Sequence, residues 1–252
     1  MSVFLFGFQI YFDFSGYSDV AIGSALLLGI RFPENFNWPY LALTPREFWK
    51  RWHISLSAWI RDYLYLPLTG QSFDTKSKGG ISVAADGLTP KFIIPLFITW
   101  IIMGFWHGAG WTFAIWGVYH AVIIAVFRYL GRLNEFFLKY FFISWPIMMC
   151  LIMASWVPFR AHDIEQMSTM WITLISPTEY QMTDRILSGI HYLLASLLTV
   201  GMLGVWGCKF ILPRMGRYMA VQAGYQVIVV AVGVFILLTL MQPIRQYIYF
   251  QF

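Results

Sequence analysis

Long apolar runs alternate with short polar connections along most of the 252-residue chain. Six stretches approach or exceed the roughly 20 mostly apolar residues that cross a bilayer as one helix. Because only helices and closed barrels satisfy their backbone hydrogen bonds within lipid, this pattern predicts an all-α fold, a polytopic transmembrane helical bundle. We expect residues 1–252 to form a single membrane domain. The six stretches are 4–30, 92–110, 111–130, 136–157, 186–208 and 222–242.

The first apolar stretch is interrupted by the polar sequence DFSGYSD at residues 13–19. Two carboxylates, Asp13 and Asp19, are costly in a helix that faces lipid alone. A broken helix that lines a polar cavity is one interpretation. A kink whose side chains satisfy its own freed backbone groups is the other. We favour a structural role for this sequence within the walls of a site.

The region between the first two apolar runs, residues 31–91, is too polar to span a membrane and unusually aromatic. The sequence Thr44-Pro45-Arg46-Glu47 supplies an N-cap, a proline at the first helical position and a capping-box glutamate, so a helix should begin there. When one helix is laid out over 46–63 at 100° per residue, charged side chains fall on one side and aromatic and aliphatic side chains on the other. The pattern predicts an amphipathic in-plane or re-entrant helix, followed by a polar cytoplasmic loop over 70–90.

Composition and charge narrow the class of protein. Apolar residues make up 59% of the chain and charged residues 12%, about half the share in soluble domains. The net charge of +5 is too small and too scattered for a nucleic-acid interface, but it can orient helices in a bilayer. Most lysines and arginines lie in 31–91, 128–139 and 209–217, which predicts that these segments are cytoplasmic. The more acidic segment 158–185 should be a loop on the outer side.

His107 is the strongest candidate for chemistry from the residues alone. It ends an apolar run in the sequence GFWHGAGW, where three glycines allow backbone or substrate to approach closely. An imidazole can accept a proton from a hydroxyl near neutral pH. A histidine tied to a neighbouring carbonyl or tryptophan is an equally good interpretation.

The other histidines carry weaker signals. His53 follows Trp52 on the amphipathic helix, and an interfacial histidine with a polar partner is slightly the better interpretation. His120 lies among apolar residues, as a packed and hydrogen-bonded helix residue would. No histidine or cysteine pair has zinc-ligand spacing, and Cys150 and Cys208 lie inside apolar runs, so we expect no metal site and no bound cofactor. Serine-hydrolase, Walker and dinucleotide motifs are absent from the sequence.

Several segments together resemble the membrane-bound O-acyltransferase (MBOAT) family, and specifically its bacterial alginate O-acetyltransferase branch, with teichoic acid D-alanyl transfer proteins as near relatives. The resemblance extends over nearly the whole chain. The segments are DFSGYSD (13–19), RFPENFNWPYLALTPREFWKRWHISLSAWIRDYLYLPLTG (31–70), GFWHGAGWTFAIWGVYH (104–120), WVPFRA (156–161) and YIYFQF (247–252).

The resemblance implies a function that the residues alone do not give. It implies that His107 is the catalytic residue and that His53 is a second histidine lining a tunnel. It further implies transfer of an acyl group from a cytoplasmic thioester, acetyl-CoA or an acyl carrier, to an exported polysaccharide such as alginate. Acyl transfer needs hydrogen-bond donors to the oxyanion, and Trp106, Trp111 and the backbone amide of Gly108 are the candidates. A periplasmic or extracellular acetyltransferase partner and a multi-pass location in the bacterial inner membrane are expected. Family members are about twice this length, so the chain is expected to be a C-terminal portion.

Two alternatives remain open from the sequence. The first is D-alanyl transfer to teichoic acid by the same machinery. The second is a non-catalytic subunit that transports an acyl donor. A transporter is expected to contain paired broken helices in symmetric positions, and only one candidate break, at 13–19, is evident here.

Overall fold

A computed structural model describes residues 3–71 and 90–176, together with the isolated positions 200, 201 and 204. Every regular element in that part of the chain is helical, which confirms the all-α class. The chain divides into two units, Met1–Gln181 with Phe252, and Met182–Gln251. The predicted spans 186–208 and 222–242 fall in the second unit, essentially outside the described residues. The expectation of one membrane domain stays a prediction.

Four long helices correspond to the first four predicted apolar stretches. They are α1 (Val3–Leu27), α5 (Pro90–His107), α6 (Trp111–Tyr129) and α8 (Phe141–Ser155). In the described part of the chain, Trp111–Tyr129 and Phe141–Arg160 are long and apolar enough to cross a membrane, and Lys91–His107 is apolar but shorter. The turn at Gly108–Gly110 separates α5 from α6, as its glycines predict.

Helix α1 passes through the polar sequence 13–19 without interruption. The expectation of a break or kink there is wrong, because the intrahelical backbone bonds continue and no backbone groups are freed. Phe14 and Ser18 point into the protein and are buried, whereas Asp19 is exposed. The polar residues therefore form part of a helix surface.

The amphipathic helix begins where the capping box predicts. Thr44 caps α2 (Pro45–Trp49) by accepting a hydrogen bond from the amide of Glu47, and the Glu47 carboxylate accepts from the amide of Leu43. The single helix expected over 46–63 is wrong, because α2 ends at Trp49 and α3 begins only at Ile54.

Tertiary backbone pairing explains the break between α2 and α3. The amide of Asn37 donates to the carbonyl of Arg51, and the amide of Ile54 donates to the carbonyl of Asn35. Local periodicity cannot report such long-range bonds. After α3 (Ile54–Ile60) the chain continues as a π-helical turn, Arg61–Tyr65, and a short α4, Leu66–Leu68. A 3₁₀ turn, Pro39–Leu41, precedes α2.

Three further helices connect or follow the long ones: α7 (Gly131–Lys139), α9 (Val157–Arg160) and α10 (Ile164–Ile175). Asp163 caps α10 by accepting a hydrogen bond of 2.7 Å from the amide of Gln166. The segment 158–185, expected to be a loop, is therefore mostly helical over its described part. Its predicted position on the outer side stays a prediction.

Helices α5 and α6 pack together more closely than ordinary side chains allow. A Cβ atom on Gly104 would collide with the backbone carbonyl of Phe113, and a Cβ atom on Gly117 would collide with the carbonyl of Trp100. These glycines bring the two backbones into contact on either side of the Gly108–Gly110 turn. The close approach fixes the end of α5, where His107 lies.

The core beneath this helix pair is built mainly from aromatic rings. Tyr40 and Trp116 are 2% and 1% exposed, and Trp156 is equally enclosed. The hydroxyl of Tyr40 donates to the carbonyl of Gly7 in α1, at 2.5 Å. The indole N–H of Trp145 in α8 donates to the carbonyl of Tyr40 at 2.8 Å. The segment before α2 is thereby bonded to both α1 and α8.

Candidate active site

His107 lies at the C-terminus of α5, enclosed by aromatic rings on three sides. The ring centroids of Trp106, Trp116 and Phe159 lie 4.8, 5.0 and 5.1 Å from the centroid of the imidazole. Trp116 is in α6 and Phe159 in α9, so three helices form the enclosure. His107 as a whole residue is nevertheless only partly buried. His107 therefore lies in an apolar environment without being fully enclosed.

His53 occupies the break between α2 and α3 and reaches toward the same region. Its backbone is in the left-handed conformation, with φ of 41°, which non-glycine residues adopt rarely and at a cost of about 1 kcal/mol or more. Its ring lies edge-on to Phe14 of α1 at 4.7 Å and 6.5 Å from the ring of Trp106. Trp106 thus contacts His107 directly and approaches His53. The structure places both predicted histidines in one region.

A hydrogen bond sets the protonation form of His53. The Oδ1 atom of Asn35 accepts bonds from the amide and hydroxyl of Ser55, at 3.1 and 2.7 Å, so this oxygen is an acceptor. It lies 3.4 Å from Nδ1 of His53, which must therefore donate. The Nε2 atom then keeps its lone pair. Burial lowers the pKa of His53, which lies outside the spanning helices, to about 4, so the ring is neutral at physiological pH.

His120 is fully buried in a second cluster of aromatic rings, next to the rings around His107. Its ring is 0% exposed and contacts Trp49, Trp100 and Trp116 at 4.9, 5.2 and 4.8 Å. The indole N–H of Trp49 donates to Nδ1 of His120 at 3.4 Å, whereas Nε2 of His120 has no protein partner. The sequence interpretation of a packed, hydrogen-bonded helix residue agrees with this geometry. Trp116 contacts both His120 and His107.

A cavity of about 670 Å³ lies between α2, α3, the π-helical turn and the α5–α7 segment. Its buried side is formed by Trp49, Leu96, Thr99, Trp100 and Met103, each at most 8% exposed. The rest of the cavity lining includes charged residues from the interfacial helices and from α6 and α7. These charged residues are Arg46, Lys50, Arg61, Arg128 and Glu135.

Four of the five charged residues around the cavity are cations, and two of them are held in place. Arg61 donates to both carboxylate oxygens of Asp62, at 2.5 and 2.8 Å, and this pairing raises the pKa of Arg61 above its usual value. Arg128 donates to the hydroxyl of Tyr65 at 3.3 Å and lies over the ring of Phe92. The cavity lining thus combines cationic side chains with apolar ones. This combination suits an anionic ligand that carries an uncharged arm.

The structure corrects part of the predicted site and adds to it. The Gly108 amide is not available to an oxyanion, because it donates to the carbonyl of Phe105 at 3.2 Å. Trp106 contacts His107, whereas the exposed ring of Trp111 lies 6.0 Å from Phe105. Sequence reasoning missed Trp116 and Phe159. The sequence WVPFRA carried the signal for Phe159, but only the fold shows that it contacts His107.

No group of three histidine, cysteine or acidic side chains able to hold a metal ion occurs among residues 3–71 and 90–176. The groups that surround His107 are aromatic rings, and those that surround His53 are an amide and a hydroxyl. These surroundings allow the two imidazoles to hydrogen-bond and to transfer protons.

Known proteins share sequence similarity with much of this chain. The model of the membrane-bound O-acyltransferase family matches residues 1–159, which include α1, the interfacial helices, both candidate histidines and most of α9. The chain is 41% identical over 176 residues to a probable alginate O-acetylase of Azotobacter vinelandii, covering 70% of this chain and 32% of that protein.

Two other relatives act on different polymers according to their names. A peptidoglycan O-acetyltransferase of Helicobacter pylori is 41% identical over 172 residues, covering 66% of this chain and 29% of the relative. A teichoic acid D-alanyltransferase of Bacillus subtilis is 34% identical over 136 residues, covering 53% of this chain and 32% of the relative. The chain thus spans about a third of the length of the curated relatives it matches.

Proposed function

The chain belongs to the membrane-bound O-acyltransferase family, and from that premise we propose that it transfers acetyl groups from a cytoplasmic thioester to hydroxyl groups of an exported polysaccharide. His107 is the general base in this proposal. The observation that carries it is the partly buried His107 at the end of α5, one helical turn after Met103, which lines a cavity that also carries four cations.

The proposed reaction uses the two sides of His107 differently. The cavity admits the thioester donor, and its cations contact the phosphate groups of acetyl-CoA or of a carrier's phosphopantetheine arm. The acceptor hydroxyl approaches from the opposite side and gives its proton to His107 as its oxygen attacks the thioester carbonyl. The thiol then leaves with a proton from the imidazolium. The apolar enclosure by Trp106, Trp116 and Phe159 limits competition by water.

His53 is an auxiliary residue of this site. Its lone pair at Nε2 can accept a hydrogen bond from the acceptor alcohol or from a tunnel water, while Asn35 keeps the other nitrogen protonated. The left-handed backbone at His53 supports a role in the site, since strained conformations concentrate where function requires them.

Relatives, rather than the geometry, support the proposed acceptor polymer and location. An alginate-like polysaccharide is the preferred acceptor, because alginate O-acetylases match more of this chain than the D-alanyltransferases do. The protein would cross the bacterial inner membrane several times and hand the acetyl group to the polymer, directly or through a periplasmic acetyltransferase. D-alanyl transfer to teichoic acid is the alternative within the same chemistry.

Acetyl content of the exported polymer tests the proposal. A strain deleted for the gene is complemented at its own locus with wild type, His107→Ala or His162→Ala. His162 is an exposed histidine in the connection between α9 and α10 and is the matched control. Wild type and His162→Ala should restore O-acetyl groups, and His107→Ala should not, at equal protein levels in the membrane. Acetylation that survives His107→Ala would instead support transport of an acyl donor without chemistry.

A further inference from the structure

We propose that Met103 is the gate between the cavity and His107, and that the bulk of its side chain controls passage of the acyl thioester. This inference rests on the proposed function, because it assigns the cavity to the donor. Met103 has no hydrogen bond to His107, and no sequence motif singles it out.

The position of Met103 on α5 is the first argument. Leu96, Thr99, Trp100 and Met103 are the α5 residues that line the cavity, and Met103 is the last of them before His107. Residues four apart share a helix face and are separated by about 6 Å along the axis. His107 itself does not line the cavity. Met103 is therefore the α5 lining residue closest to His107 along the helix, on the face that the two residues share.

Two large side chains in the buried part of the cavity lining, Trp49 and Trp100, are held in place by their contacts. Trp49 is held by its hydrogen bond to His120 and packs at 4.7 Å from Trp100. Trp100 in turn stacks on His120, with 5.2 Å between ring centroids and 26° between ring planes. Moving either indole would break contacts of a ring cluster that is almost wholly buried.

Met103 differs from these two side chains in its chemistry. Its side chain is 3% exposed and belongs to the buried part of the cavity lining. It is unbranched and has three rotatable bonds, which lets methionine adjust to a passing ligand at low cost. Gly104, the next residue, holds the backbone against α6. A movable side chain on an immobile backbone is the arrangement that a gate requires.

The test changes the bulk at this position after the protein has folded. Met103→Cys is introduced at the chromosomal locus in a background carrying Cys150→Ser and Cys208→Ser. Cells are treated with methyl methanethiosulfonate, whose adduct is close to methionine in size, or with benzyl methanethiosulfonate, whose adduct is much larger. Incorporation of radiolabelled acetate into the exported polysaccharide is then measured, and protein mass gives the extent of modification.

The benzyl adduct should lower incorporation about tenfold or more, and the methyl adduct should leave it within about twofold of the untreated strain. Ile102→Cys is the control, because Ile102 is 45% exposed, does not line the cavity and should tolerate both adducts. The proposal is overturned if the benzyl-modified Met103→Cys protein incorporates acetate at the untreated rate, or if neither reagent reaches the introduced thiol. Failure of the proposed function is seen separately, as an untreated wild type that incorporates no acetate.

Discussion

The hydrogen bond between Trp49 and His120 ties the interfacial helix α2 to the membrane helix α6. Trp49→Phe removes its donor and keeps an aromatic ring. His120 then has no protein partner at either ring nitrogen, because Nε2 has none in the described structure. The substitution therefore leaves a fully buried imidazole without a hydrogen bond.

The size of the effect follows from that burial. Leaving a buried polar group without its partner costs about 1–3 kcal/mol. The bond is long, at 3.4 Å, which favours the lower part of this range. We therefore expect a loss of about 1–2 kcal/mol from the missing bond, in addition to the cost of replacing indole by the smaller phenyl ring.

Trp100→Phe isolates the contribution of the bond. Trp100 is as buried as Trp49 and contacts the same imidazole, but its ring stacks on His120. Thermal unfolding of the detergent-solubilised protein should give a Tm for Trp49→Phe about 2–8 °C below that for Trp100→Phe. The double variant Trp49→Phe/His120→Phe should lose less stability than the two single variants lose together, because neither side of the former hydrogen bond keeps an unpartnered polar atom. Equal Tm values for the two tryptophan variants, or strict additivity, would refute the reasoning.

Three further outcomes are expected. Gly104→Ala should destabilise the protein by about 1–3 kcal/mol through its clash with α6, whereas Gly16→Ala, with open space at its Cβ, should not destabilise it in the same thermal assay. The pKa of His53 is lowered from 6.5 to about 4 in the folded protein, so its contribution to stability is complete above pH 6.5 and is lost as the pH falls towards 4. The Tm of His53→Gln should therefore fall less between pH 6.5 and pH 4 than the Tm of wild type. Lys50→Glu, at the cavity, should lower acetate incorporation about three- to tenfold and more strongly at low salt, whereas Lys139→Glu, an exposed lysine away from the cavity, should leave it unchanged.

Local signals predicted the elements whose causes are local. The capping box located the start of α2 at Pro45, and the glycines at 108 and 110 located the turn between α5 and α6. Apolar runs gave the bounds of α5 and α6 to within a few residues. Each of these features is determined by residues that are close in sequence.

The features that sequence reasoning missed depend on distant contacts. The break at residues 50–53 is stabilised by backbone bonds to residues 35–37, so helical periodicity alone extended one helix across it. The continuity of α1 through 13–19 was missed because buried Phe14 and Ser18 pack on other elements, which offsets the polar composition. The contact of Phe159 with His107 joins two helices about 50 residues apart.

The proposed function makes His107 the general base, and a single substitution measures that assignment. His107→Gln keeps much of the volume and hydrogen-bonding capacity of the side chain but cannot accept a proton near neutral pH. The rate of acetate incorporation into exported polysaccharide should fall about 10²- to 10⁴-fold, with the variant present in the membrane at the wild-type amount. An incorporation rate equal to that of wild type would contradict the account, because the proton of the acceptor hydroxyl would then be taken by another group.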